Sequence, residues 1–260
     1  GRDLPRRRCC FMLPDVARPA KTLAADFVQR VEPADLSEMM DEPCSYAEFR
    51  ACLYDLAKVN RFTQAYKPTL AFLDRVAARA TLPQPLRILD VGSGGGDMLR
   101  QVAEWAERRG IAVELTGVDL NPYSAQAARE FSMGKPGASG IRWITGDAFT
   151  YVPTEQVDVV LSALFTHHLS SPDVVRFLAW MERNTRVGWF VNDLQRSARA
   201  ARWFRVLPVI LRWHRFVRHD GPVSLRRAFR EEDWTRMLTA AGIPAGTASI
   251  ESHPMSRLCV

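Results

Sequence analysis

The stretch Leu86-Arg87-Ile88-Leu89-Asp90-Val91-Gly92-Ser93-Gly94-Gly95-Gly96-Asp97 decides how the chain is read. Its first half is a short run dominated by Leu86, Ile88, Leu89 and Val91, the pattern of a strand buried on both faces of a parallel sheet. Glycines at 92, 94, 95 and 96 then form a tight turn into a helix expected over about 96–109. A helix N-terminus placed directly after a buried strand presents backbone N–H groups without partners, and glycine lets a ligand approach them closely. A dinucleotide fingerprint of the G-x-G-x-x-G kind, begun at Gly92, needs glycine where Asp97 stands. A carboxylate there would face a pyrophosphate badly, so the loop suits a ligand without a diphosphate.

Outward from this loop the pattern alternates. Strands are expected at 86–91, 112–119, 141–145, 157–162 and 185–193, with helices at about 96–109, 122–131 and 172–183. A last helix, 231–241, stops at Gly242, and two more strands, about 246–252 and 255–260, complete the sheet. The fold class is therefore α/β, a doubly wound, seven-stranded, mostly parallel sheet. Before it, residues 33–79 read as helices, with caps near Asp35 and Ser45 and with Phe49, Leu53, Leu56 and Val59 at helical spacing. Thr81-Leu82-Pro83-Gln84-Pro85 breaks the helix. The expected organisation is a basic arm (1–32), a helical cap (33–85) and a ligand-binding domain (86–260) carrying a long insertion at 195–230.

Two further acids stand at strand ends. Asp119 closes Val113–Asp119, where a carboxylate can accept both hydroxyls of a ribose. Asp147, in Gly146-Asp147-Ala148-Phe149, can accept from an adenine amino group. With these in place, ILDVGSGGGD, TGVDLNP and GDAF resemble the successive cofactor motifs of class I S-adenosylmethionine-dependent methyltransferases over residues 86–193. That resemblance implies S-adenosylmethionine as cofactor, the methionine part held at Asp90, Gly92, Ser93, Gly94 and Gly96, the ribose at Asp119 with Leu120, and adenine at Asp147 with Ala148.

The same comparison narrows the acceptor. The (Asn/Asp)-Pro-Pro-aromatic signature of amino-group methylation is missing after strand four, and lysines occur only at 21, 58, 67 and 135, which argues against nucleic acid. The segment Leu164-Phe165-Thr166-His167-His168-Leu169 resembles the ubiquinone/menaquinone-biosynthesis type. Together with YDLAKVNRF, VNDLQRS and RHDGPVSLRRAF it is similar to bacterial small-molecule, polyketide-associated methyltransferases. The reading is methyl transfer to a hydroxyl, less favoured a carbon, of a small hydrophobic aromatic or polyketide-like acceptor. A quinone- or isoprenoid-type C-methyltransferase at a membrane surface and a non-catalytic cofactor-binding protein are the alternatives.

His168 or His167 is the candidate general base, because an imidazole titrating near neutrality can take a phenol proton; His168 is preferred. Asn192 and Asp193 end strand five at the same rim and can bind the acceptor, orient a histidine or hold the following segment; Tyr54 and Phe62 are candidate acceptor contacts, and Arg61 a candidate partner of the cofactor carboxylate. No metal is assigned, since the sulfonium is already an activated leaving group.

Composition sets the remaining limits. With 260 residues, 47% of them apolar and 25% charged, the chain can bury a large core. The net charge of +6 rests on arginine. Five cysteines without a CxxC pair suit a reducing, cytoplasmic setting and argue against structural zinc. No apolar run is long enough to span a bilayer. The arginines at 2, 6, 7, 8 and 18 lack a following apolar run, which excludes a secretory signal and leaves a transit peptide or an unstructured arm. Within 195–230, Trp203, Phe204, Val206, Leu207, Val209, Ile210, Leu211, Trp213, Phe216 and Val217 interleave with arginines, and Pro208 is expected to kink or interrupt the helix. A lid, a membrane-surface helix giving peripheral contact, and ordinary core packing are the open readings of that insertion.

Overall fold

The structure, a computed structural model, describes residues 27–79 and 81–260. Residues 1–26, on which the targeting question turned, lie outside that range. Helices α1 (Tyr46–Phe62) and α2 (Lys67–Ala77) come first. Ser45 starts α1 with a reciprocal cap, its hydroxyl accepting from Glu48 N at 3.3 Å while the Glu48 carboxylate accepts from Ser45 N at 3.3 Å. Asp35, also expected to begin a helix, ends only a short 3-10 turn, Pro33–Asp35.

The α/β part follows as β1 (Leu86–Val91), α3 (Asp97–Arg109), β2 (Val113–Asp119), α4 (Ser124–Ser132), β3 (Arg142–Thr145), β4 (Val157–Ala163), α5 (Ser171–Asn184) and β5 (Thr185–Leu194). It continues through α6 (Ala198–Ile210), α7 (Arg215–Arg227), α8 (Glu231–Ala240), β6 (Glu251–His253) and β7 (Arg257–Cys259). The sheet order is β3-β2-β1-β4-β5-β7-β6. Strands β1 to β5 pair in parallel with their neighbours, and β7 runs antiparallel to both β5 and β6. The order reverses between β1 and β4, so the loop after β1 opens at the switch point where ligands of such sheets bind.

Side-chain alternation along β1 explains the two layers. Leu86 and Ile88 face Leu73 and Val76 of α2 and Leu99, Val102 and Trp105 of α3. Leu89 and Val91 face Phe177, Leu178 and Met181 of α5 and Trp234, Met237 and Leu238 of α8. The last two strands are shorter than expected for local reasons. A turn closed by Thr247 N to Pro244 O at 3.2 Å takes the residues before β6. Met255 and Ser256, both at positive φ, form the reversal that delays β7 to Arg257.

The insertion divides. Phe216 and Val217 of α7 and the adjoining Trp213 pack on Cys52 and Val59 of α1, which is core packing. Helix α6 leaves Trp203, Val206, Val209 and Ile210 exposed. It is not interrupted at position 208: it continues to Ile210, and Leu211 N reaches Leu207 O at 3.0 Å. Among the described residues no helix is long and apolar enough to cross a membrane. Ahead of α1, Phe27 is buried against Ala201 and Leu225, and Arg30 donates to Arg227 O (2.7 Å) and Leu169 O (2.6 Å).

Gly96, with φ at +74°, caps α3 where a Cβ would overlap the Trp143 ring on β3. Gly96→Ala should therefore lower the unfolding free energy by about 2–4 kcal/mol through overpacking and a strained backbone. Urea denaturation measures it; an unchanged midpoint would contradict the close approach.

Candidate active site

The glycine loop lines a pocket at the carboxyl end of β1, together with Asn60, Ala65, Tyr66, Asp90, Asp97 and Arg257. Asp97, the first residue of α3, accepts from Tyr66 Oη at 2.7 Å and Asn60 Nδ2 at 2.9 Å, so α1 and the turn after it hold its carboxylate in place. Arg100 donates to Gly95 O at 2.6 Å and fixes the loop from below. Asp90 is buried, and its Oδ1 has no hydrogen-bond partner among the described residues. Burial, reinforced by Asp97 and Asp119, pushes its pKa well above the usual carboxylate range.

Opposite these acids stands a residue the sequence reading did not select. Arg257 of β7 is buried, and its Nε and Nη1 have no partner among the described residues. Burial pulls its pKa down, with Asp193 the largest opposing influence. A lone arginine in the apolar run Arg257-Leu258-Cys259-Val260 was the available signal. Arg61, proposed for the carboxylate role, lies instead on the exposed side of α1.

Asp119 accepts from Gly94 N (2.8 Å) through one oxygen and from Asn121 N (2.9 Å) and Ser124 Oγ (2.8 Å) through the other. A carboxylate has about four acceptor positions, so roughly one remains for a ligand unless the Gly94 amide turns away. Leu120 is 72% exposed beside it. Asp147 is exposed at the rim, accepting from Phe149 N at 2.9 Å, and Gly146 N joins the two acid loops by donating to Asp119 O at 2.9 Å. Ala148 is buried next to Asp147.

The histidines point elsewhere. Phe165 packs on Gly92, and the 3-10 turn Thr166–His168 that follows is fastened to Asp193. Asp193, fully buried, accepts from the Thr166 hydroxyl, from His167 N (3.0 Å) and from Leu194 N (2.7 Å), and lies 2.7 Å from His167 Nδ1. Burial opposes its charge, but the His167 ring and these donors hold the carboxyl well below the usual range. His168 Nδ1 lies 3.1 Å from Asp41 Oδ1. Burial would lower the His168 pKa, yet Glu38 and Asp41 raise it to about 9. A ring protonated at neutral pH cannot accept a proton, and neither histidine lines the glycine-loop pocket. The general-base expectation for His168 and His167 thus loses its geometric support.

Other expected acceptor contacts are also displaced. Asn192 is buried and donates to Ala65 O (2.7 Å) and Thr69 Oγ1 (3.0 Å), fastening the cap to strand five; Asp193 orients a histidine. Tyr54 and Phe62 are exposed on α1, Tyr54 beneath Lys58 and Phe62 against Trp213. The residue over the loop is Leu53, one position from Tyr54, in contact range of Gly94 and Gly95. One position along a helix turns a side chain by about 100°, enough to move it from pocket to solvent. Glu38 and Asp41, which meet the histidines, stand in a 3-10 stretch without a periodic pattern, so spacing could not reveal them.

Residues 88–188 match the family described as a methyltransferase domain. Trans-aconitate 2-methyltransferases of Streptomyces avermitilis and Streptomyces coelicolor are each 27% identical over 182 residues, 67% of this chain. The chain spans 64% and 56% of those relatives' lengths. Among solved structures, a putative O-methyltransferase from Nostoc punctiforme PCC 73102 aligns with TM-score 0.56 at 20% identity, covering 92% of this chain and 65% of that one. The plantazolicin methyltransferase BpumL, solved with SAH, aligns with TM-score 0.55 at 13% identity, covering 81% of this chain and 80% of that one. Residues 88–188 thus carry the match to the methyltransferase-domain family, and the chain shares the α/β fold of these solved methyltransferases.

Proposed function

We propose that the chain moves the methyl group of S-adenosylmethionine to an oxygen of a small acceptor. The observation that carries this reading is the charge pattern of the glycine-loop pocket. The amino-acid part of the cofactor bears a sulfonium, an ammonium and a carboxylate. The pocket sets Asp90 and Asp97 against one buried guanidinium, Arg257. Orphaned buried polar atoms on Asp90 and Arg257 are costly unless a ligand of opposite charge meets them. In this reading Gly92, Ser93, Gly94 and Gly96 receive the methionine backbone, Asp119 the ribose, and Leu120, Asp147 and Ala148 the adenine. The cofactor supplies an activated methyl group on a good leaving group. The protein's share is alignment and exclusion of water, with Leu53 and Phe165 closing over the loop.

No histidine lines this pocket, so the acceptor oxygen that fits best is one that ionises without help: an acidic phenol or enol of an aromatic or polyketide-like molecule. The trans-aconitate relatives leave a carboxylate as the second acidic oxygen to consider.

Three outcomes are expected. Asp119→Ala should weaken both S-adenosylhomocysteine and 5′-methylthioadenosine in calorimetry, whereas Arg257→Gln should weaken only the former, by about ten- to a hundredfold; equal losses for both ligands would remove Arg257 from the carboxylate role. Asp90→Asn should weaken cofactor binding yet stabilise the unliganded protein. Its raised pKa means the folded state holds more protons than the unfolded one, so the parent loses stability as pH rises from about 4. The variant's advantage in thermal melts should grow over that window and vanish below it; a constant gap would contradict the assignment. Finally, mass spectrometry across phenols, enols, carboxylic acids and alcohols should show gain of one CH2 unit on the acidic oxygens. Cofactor binding without product from any of them would favour a non-catalytic binder.

A further inference from the structure

Away from the glycine loop, Glu38, His167 and His168 bring one carboxylate and two imidazoles together, with their ligand atoms all within 4.8 Å of one another. His167 Nε2 lies 3.7 Å from Glu38 Oε1, and His168 Nε2 lies 3.7 Å from Glu38 Oε2. Both rings already have their other nitrogen engaged, His167 Nδ1 by Asp193 at 2.7 Å and His168 Nδ1 by Asp41 at 3.1 Å. A carboxylate on Nδ1 holds the ring so that Nε2, once an ion displaces its proton, offers its lone pair, the arrangement found behind metal-bound histidines. Here it occurs twice, and both Nε2 atoms face the same carboxylate.

We propose that Glu38, His167 and His168 bind one divalent first-row transition ion, with Asp193 and Asp41 orienting the two rings. Two imidazoles and one carboxylate favour zinc, cobalt or iron(II) over magnesium or calcium, which take all-oxygen sets. Bonds of about 2.1 Å in tetrahedral geometry place ligand atoms roughly 3.4 Å apart, so the 3.7 Å contact of His168 Nε2 with Glu38 Oε2 needs to shorten only slightly, and the set as a whole, within 4.8 Å, closes by small side-chain shifts. The oxygens of Glu38 are unequal. Oε1 accepts from Ser224 Oγ at 2.8 Å and lies 3.2 Å from Arg227 Nη1, which leaves Oε2 for the ion. Arg227 also lies 3.1 Å from Asp41 Oδ2, and Arg30 is close enough to Asp193 to feel its charge. Glu38 and His167 are buried, while the partly exposed edge of His168 provides the way in. Three protein ligands leave a coordination position open to water or another oxygen. The rival arrangement is a closed ion-pair network in which a proton on His168 occupies the ion's place.

The test uses the full chain, stripped with chelator and dialysed near neutral pH, then titrated with zinc by calorimetry and with cobalt by visible absorption. One ion per chain is expected, with the intense visible bands of a low-symmetry cobalt site. His168→Gln, at the partly exposed ligand, should lose that binding while keeping the parent's circular dichroism. Asp41→Asn should weaken it by about ten- to a hundredfold. His253→Gln, which alters the separate His253–Glu251 pair, should bind as the parent does. Absence of one-to-one uptake, or uptake retained in His168→Gln, would overturn the proposal in favour of the ion-pair network.

Discussion

The Asp193 carboxylate, with 0% of its surface exposed, is the interaction on which the site's framework rests. Desolvating a carboxylate costs several kcal/mol unless its oxygens are matched by donors. Asp193 is matched by two backbone amides, the Thr166 hydroxyl and the His167 ring. Removing the acid would leave those donors orphaned together, so the loop after β4 and the tip of β5 behave as one unit. That loop places Phe165 on Gly92, and so the packing of the glycine turn depends on a carboxylate two strands away.

The cap is joined to this unit from the other side by polar contacts. Asn192, the neighbour of Asp193, holds Ala65 and Thr69, which positions Tyr66 for its bond to Asp97. Arg30 donates to Leu169 O and Ser171 Oγ, Arg227 donates to His167 O, and Asp220 accepts from Met39 N and Met40 N. The segment before α1 and the insertion helix α7 therefore close over the loop that bears the histidines. Apolar packing of Trp213, Phe216 and Val217 on α1 supplies the nondirectional part of the same closure.

Charge is distributed unevenly along the carboxyl edge of the sheet. Around the glycine loop, Asp90 and Asp97 face one buried arginine, an arrangement complementary to a zwitterion with an added cation. Around the histidines, acids and bases already compensate one another closely. The first region carries uncompensated polarity of the kind a ligand relieves, and the second carries a network that either a proton or an ion completes.

The fold was legible in the sequence because its signals are local. Short apolar runs at 86–91 and 157–162, separated by helical periods, fit the buried strands of a parallel sheet, and the glycines at 92, 94, 95 and 96 fit a tight turn. The same locality made Asp90, Asp119 and Asp147 readable, since each ends a strand and strand ends converge at the switch point. Only tertiary structure decided which way side chains near the site point. Leu53 covers the loop and Tyr54 does not, because one step along α1 changes the face. Arg257 reaches the pocket through antiparallel pairing with a strand more than sixty residues earlier, and Arg61 does not. Glu38 and Asp41 meet His167 and His168 across more than a hundred residues of chain. Contacts of that range are set by how layers pack, and no spacing within the sequence encodes them.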